Sequence, residues 1–415
     1  MRAMRIACFR LIVAGYCCFS GFAAEPQPHE LKKLRDTHNW FRLRETVRGT
    51  TSSPLNAGAV ASAFNEKARA EKILLALIRS NPKSVEAYEA YDVLANLYMR
   101  TGRYRQLMAI MEKRWRAFPD KPEIATERAA VSPFRGMPDQ TLVQKGRSTF
   151  QHEGNIFLPV SIGSGTASYF FDTGANMSCM SASETKRLGL IVTEPRGTMG
   201  TSTGVRVPFR TAVAKTVSVG NMKFRNVTFA VFPDDQEPWS VLKPGQRGII
   251  GMPMVQAFET IRWSLDGTTE VGSDAGVPVH QGASPNLAFV NSDIELSVMI
   301  EGERAFLTLD TGAQTTDLYQ PFAKAFPELL SRNGRRKDST EVRGVGKAQE
   351  FESVRLPELL LNIGSIKVAL RPVNVIMKDI GKPCCVGNIG MDVLRQASAF
   401  SLDFRSMMLA LEPKR

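Results

Sequence analysis

Two short runs in this chain have the residue types for acid–base work: Asp172-Thr173-Gly174-Ala175 and, 138 positions later, Asp310-Thr311-Gly312-Ala313. One ionised carboxyl can take a proton from water while a second, protonated carboxyl gives one to a carbonyl oxygen, which is what hydrolysis of an unreactive amide needs. If the two carboxyls meet, like-charge repulsion makes them hold a single proton, whose titration belongs to the pair. Each run follows an alternating stretch, Ile156, Leu158, Val160 and Ile162 in one case and Ile294, Leu296, Val298 and Ile300 in the other, the period of a half-buried strand. Downstream, Gly248-Ile249-Ile250-Gly251-Met252 returns as Gly387-Asn388-Ile389-Gly390-Met391 at an offset of 139, and Ser264-Leu265-Asp266 as Ser401-Leu402-Asp403 at 137. Val219-Gly220 with Lys223 matches Ile363-Gly364 with Lys367 at 144, so the copies differ in length between landmarks, where loops absorb insertions. The pattern predicts two copies of one β fold, with the polar, small-residue stretch 267–290 as linker.

The order of strand, Asp-Thr-Gly-Ala, glycine-bearing hairpin, second hairpin, apolar-apolar-Gly and closing strand resembles one lobe of a retropepsin-like aspartic protease. It occurs twice, over about 150–412. Viral retropepsins resemble one such lobe and pepsins carry two in one chain, so this chain is similar to pepsins in covalent logic and to retropepsins in lobe size. The resemblance implies an aspartic endopeptidase acting on a peptide or protein, with water activated between Asp172 and Asp310 and no cofactor or metal. It implies that Thr173 and Thr311 turn inward and bond across the interface. Gly174 and Gly312 then leave room for close approach beside the carboxyls, and Gly251 and Gly390 lie beneath the two loops. Candidate flaps are the hairpins bearing Gly200 and Gly204 in the first copy and Gly344 and Gly346 in the second. Phe170, Phe171 and Leu309 are expected to fill the core. Two positions break the symmetry: Asn388 stands where the first copy has Ile249, and Asp317 where it has Cys179. They predict an asymmetric cleft and a defined peptide substrate.

The rest of the chain must support these loops. From about 57 to 130 the texture is helical, with apolar residues at spacings of three and four. Between Asn81-Pro82 and Phe118-Pro119, the residues Tyr88, Leu94, Leu97, Tyr98, Gly102, Tyr104 and Ala109 fall roughly as in a tetratricopeptide-type helical hairpin. One such repeat cannot bury its apolar face alone, so segment 25–145 is expected to pack on the downstream lobes or on a protein partner. The expected fold is therefore mainly β, with two tandem retropepsin-like acid-protease lobes at 146–266 and 291–415, preceded by a small α-helical segment.

Residues 1–24 read as a secretory signal, positively charged, then apolar, then small, which predicts export to the periplasm or beyond. Tyr16 before Cys17 argues against a lipid anchor, and no later stretch approaches the ~20 apolar residues of a membrane span. A chain of 415 residues with 43% hydrophobic content can build proper cores without disulfide staples. Once the signal is removed Cys179, Cys384 and Cys385 are left, an odd number expected to be free thiols, although a bond from Cys179 to one of the adjacent pair is open. His29, His38, His152 and His280 make no metal-ligand spacing. The net charge of +12 is scattered and no nucleic-acid-binding signature accompanies it, so nucleic acid is not an expected partner. Two rival readings stay open: a non-catalytic module on the same fold that grips a peptide or envelope protein, and a helical segment that blocks the cleft until it is removed.

Overall fold

The computed structural model describes residues 27–414 except 49–52, 153, 155, 202–203, 274–283, 334–335, 347 and 380–384. The signal reading at 1–24 and Cys384 lie outside the described residues. The described part is mainly β, with its longer helices gathered before the first strand and short ones set among the strands.

The helices run from Pro28–Asp36 to Ile124–Val131. Ser53 and Ser84 cap two of them, their side chains accepting from the backbone N–H groups of Asn56 and Ala87. Val85–Arg100 ends at Gly102, whose φ of +68° lets the chain reverse into Tyr104–Ala117. The inner faces of this hairpin bury Leu94, Leu97, Tyr98, Tyr104 and Leu107. Ala109, another of the residues that match the tetratricopeptide-type spacing, is exposed. The pair is a helical hairpin between the two proline punctuation points, and its likeness to a tetratricopeptide unit stays a resemblance.

Because this hairpin cannot enclose its own apolar side, the helical segment docks on both lobes. Phe41 stacks on Phe306 of the second lobe at 5.5 Å, and Tyr104 stacks on Phe134 at 5.1 Å, which abuts Phe209 of the first. Polar ties fix the seat: Gln140 donates to the Pro253 carbonyl at 2.9 Å and Asn65 to that of Phe404 at 2.8 Å.

Each lobe is built on the same run of four strands. In the first, Cys179–Ser181, Gly248–Ile250, Gly165–Phe171 and Phe157–Ile162 lie side by side, and Met222–Phe232 pairs with both Cys179–Ser181 and Arg206–Val219, so the sheet closes on itself. In the second the order is Asp317–Leu318, Gly387–Ile389, Glu303–Leu309 and Asp293–Ile300. The alternating residues Leu158, Val160 and Ile162, and Ile294, Leu296, Val298 and Ile300, all point into the cores.

A further five-stranded sheet joins the lobes in the order Ser148–Gln151, Thr268–Val271, Thr260–Ser264, Ala399–Asp403 and Met408–Glu412. Its central seam pairs Thr260–Ser264 antiparallel with Ala399–Asp403, and Arg262 clasps Glu412 across it through two contacts of 2.9 and 3.0 Å. Ser264, which opens the first Ser-Leu-Asp landmark, and all of Ser401-Leu402-Asp403 thus lie on the strands where the copies meet.

Two boundaries differ from the sequence reading. The first lobe's sheet already includes Thr141–Gln144, ahead of residue 146, because that strand pairs with Met222–Phe232. The stretch 267–290 is not linker throughout: Thr268–Val271 and Leu287–Val290 are strands, and their polar flanks masked them in the sequence.

Candidate active site

The two Asp-Thr-Gly loops come from equivalent places. Phe171 runs parallel to Ile250 and Leu309 to Ile389, so each aspartate leaves its strand beside an apolar-apolar-Gly strand. The Asp172 N–H donates to the Ile250 carbonyl at 3.1 Å and that of Asp310 to Ile389 at 3.0 Å. Gly251 and Gly390 press against the loop backbones, since a Cβ on Gly251 would sit 2.3 Å from the Met177 carbonyl and one on Gly390 2.6 Å from the Thr315 oxygen. The next residues tie the loops down, Met252 N donating to Ala175 O at 2.8 Å and Met391 N to Ala313 O at 2.9 Å.

Thr173 and Thr311 are buried and reciprocate. Thr311 Oγ1 accepts from Thr173 N at 3.1 Å, and Thr173 Oγ1 accepts from Thr311 N at 3.0 Å. Each hydroxyl then donates to the other lobe, Thr173 to Leu309 O at 2.8 Å and Thr311 to Phe171 O at 3.0 Å. Four bonds in a dry setting hold the loops together, where an unpaired N–H would cost about 1–3 kcal/mol.

This brings the carboxyls face to face. A Cβ on Gly174 would lie 2.6 Å from Asp310 Cγ, and one on Gly312 2.8 Å from Asp172 Cγ, so each glycine is packed on the opposite carboxyl. Asp172 is half-buried. Desolvation, and then the charge of Asp310, push its carboxyl well above the usual carboxylate range. Gly174 N donates to Asp172 Oδ1 at 2.8 Å. Asp310 receives Gly312 N at 2.8 Å and Ala313 N at 3.2 Å on Oδ1, and Asn388 Nδ2 at 3.0 Å on Oδ2. The Asn388 amide has no counterpart in the first lobe, where Ile249 holds that position. It is a site residue whose role the sequence comparison did not reveal; only its break with symmetry pointed to it.

The other candidates lie in or beside hairpin turns. Gly200 ends the strand Val192–Gly200, and Gly204, at φ +78°, turns the chain into Arg206–Val219. Gly344 and Gly346 occupy the loop between Arg336–Val342 and Gln349–Leu356. Gly346 exchanges backbone bonds with Glu237 of the first lobe at 3.1 and 3.2 Å, a tie between lobes that was not foreseen. Arg343 adds an ion pair to Glu237 at 3.3 Å. The first hairpin is braced from outside, with Thr211 Oγ1 donating to the Pro133 carbonyl of the helical segment at 3.2 Å.

Phe171 and Leu309 fill the cores as expected. Phe170 does not: it is half-buried and belongs with Cys179, Ile249, Val207 and Phe209 to an apolar wall continuous with the helical segment's core. Cys179 and Cys385 are buried free thiols.

Residues 158–254 match the family model described as aspartyl protease. A crystal structure of a retropepsin-like aspartic protease from Rickettsia conorii aligns at 14% identity over 32% of this chain and 94% of that one, with a TM-score of 0.23. No match was found among curated proteins. The stretch of the first lobe that carries Asp172 is thus similar to the aspartyl protease family.

Proposed function

We propose that this protein is an aspartic endopeptidase whose two lobes supply one carboxyl each to a shared dyad. The observation that carries this reading is the reciprocal packing of Gly174 and Gly312 on the opposite carboxyls, locked by the Thr173–Thr311 exchange. The extra donor on Asp310 and the raised proton affinity of Asp172 bias the shared proton toward Asp172. Asp310 then takes a proton from water as the water oxygen bonds to the peptide carbonyl carbon, while Asp172 gives its proton to the carbonyl oxygen. The resulting diol collapses as Asp310 passes its proton to the leaving nitrogen, the C–N bond breaks and a diol proton returns to Asp172. The dyad ends with one proton, ready for the next turnover.

The glycine-bearing hairpins serve as flaps over the peptide, and the inter-lobe bond at Gly346 is the latch of the second. The protein is exported, with residues 1–24 as its signal, and works in the periplasm or outside the cell. Among the described residues no helix is long and apolar enough to cross a membrane. The helical segment braces the first flap and offers its outer face to a protein partner.

The test is hydrolysis of a diverse peptide mixture by the purified protein from pH 3 to 8, beside Asp172→Asn and Asp310→Asn. Cleavage abolished by either change is the expected result. Peptides that bind but are never cut, by any form, would leave a non-catalytic binding module.

A further inference from the structure

Strand register permits a direct comparison of the two walls that flank the dyad. In the first lobe Phe170, Ile249, Cys179 and Ala230 stand in one row across four neighbouring strands. In the second lobe the same row reads Thr308, Asn388, Asp317 and Asn374. Residues in register on adjacent strands share a face of the sheet, and Asn388 fixes which face this is, because its amide reaches the Asp310 carboxyl. The first-lobe row is thus apolar at all four places, with Cys179, Ile249 and Ala230 buried and Phe170 half-buried, and the second-lobe row is polar at all four.

The Thr308 hydroxyl of the polar row donates to Cys385 Sγ at 3.4 Å, whereas two acceptors of the row are left open among the described residues. Among the described residues no cation lies within ion-pair distance of Asp317, and neither a hydroxyl nor an N–H is bonded to its side chain. Asn388 is 91% enclosed, yet its Oδ1 has no partner. The next residue along the row, Arg355, is exposed and paired with Asp338 at 3.6 Å. Burial of Asp317, with the charge of Asp392 behind it, pushes its carboxyl up to about 6, the mark of a carboxylate without a counter-charge. A half-buried carboxylate beside an unpaired amide oxygen, in a groove made for peptide, asks for a donor that arrives with the substrate.

We propose that the Thr308–Asn388–Asp317–Asn374 wall is a subsite for a lysine or arginine side chain of the substrate, with the half-buried Phe170 of the first lobe as its apolar counterpart. The proposal rests on the protease reading and narrows it: the preferred peptide has a cationic residue on one side of the scissile bond and an apolar residue on the other. In the first lobe, Cys179 at the place of Asp317 makes the matching wall a poor host for charge.

The experiment uses the full chain and peptides that differ only at the residues flanking the cut, carrying lysine, methionine or glutamate. Lysine on one side should raise kcat/KM about tenfold over methionine, the scale of one well-placed charge-assisted bond, and glutamate there should abolish cleavage. In Asp317→Asn the lysine-to-methionine ratio should fall below about twofold. The wild-type ratio is a readout in its own right should the variant fail to fold. No preference for the cation, or a preference that Asp317→Asn leaves intact, overturns the proposal. If no peptide is cut by any form, the protease reading fails separately. The subsite is then read by fluorescence anisotropy of the same labelled peptides on Asp172→Asn, where equal binding of the lysine and methionine peptides overturns it.

Discussion

Adding one methyl group at Gly174 tests the dyad's geometry without touching a charge. The Cβ of Gly174→Ala would fall 2.6 Å from Asp310 Cγ and Oδ1, inside the 3.4 Å at which ordinary contact begins by about 0.8 Å. Asp310 cannot swing aside freely, because Gly312, Ala313 and Asn388 hold both of its oxygens. The loops must therefore part by most of that distance, which also stretches the threonine exchange. Misplacing reacting groups by about 1 Å costs on the order of a hundredfold in rate, and overpacking a tight site costs about 1–3 kcal/mol of stability. The expected outcome is kcat/KM on a fluorogenic peptide lower by about two orders of magnitude, with a melting temperature only a few degrees lower. Gly312→Ala, 2.8 Å from Asp172, should behave alike. A Gly174→Ala protein with wild-type kcat/KM would refute the close packing of glycine on carboxyl.

Asp172→Asn separates stability from activity. Its carboxyl has a raised proton affinity in the folded state, so the native protein binds more protons than the unfolded one and loses stability as pH climbs from about 4 through the folded value. The amide escapes this penalty, and its melting temperature should exceed wild type at pH 7 but not at pH 3, while hydrolysis is lost at both. Thr173→Ala leaves the Thr311 N–H buried without an acceptor and the Leu309 carbonyl without its donor, for a loss of about 3 kcal/mol in urea unfolding that Thr173→Ser largely restores. Glu237→Ala removes one of the carboxylates paired with Arg343, the one in the other lobe, and should speed exchange of the Gly346 amide measured by hydrogen–deuterium exchange. A chain beginning at Thr141 keeps every strand but bares Phe209 and Phe306, and should aggregate instead of gaining activity. Higher activity from it would show that the helices inhibit.

The features legible in sequence were those fixed by backbone geometry. Asp-Thr-Gly demands its neighbours wherever it forms, and the offsets from Ile156 to Asp403 carried the two lobes and the strands where they meet. What stayed hidden depends on which distant residues come together. Nothing local in Glu237 marks it as the partner of Gly346, and Gln140 gives no sign of reaching Pro253. Asn388 marks in sequence only an asymmetry between the copies, because its bond to the dyad has meaning only once the Asp310 oxygen stands 3.0 Å away. Phe170 looked like core because alternation gives a face without saying which face lines the cleft.

The antiparallel seam between Thr260–Ser264 and Ala399–Asp403 has a consequence for how activity scales with concentration. A dyad assembled from two separate chains is diluted away below the dissociation constant of the pair. Here both carboxyls come from one polypeptide and are brought together by its folding, so turnover per molecule should be constant from micromolar to picomolar protein. Such an enzyme would keep working after release into a large volume, at concentrations where a partner-dependent one has fallen silent.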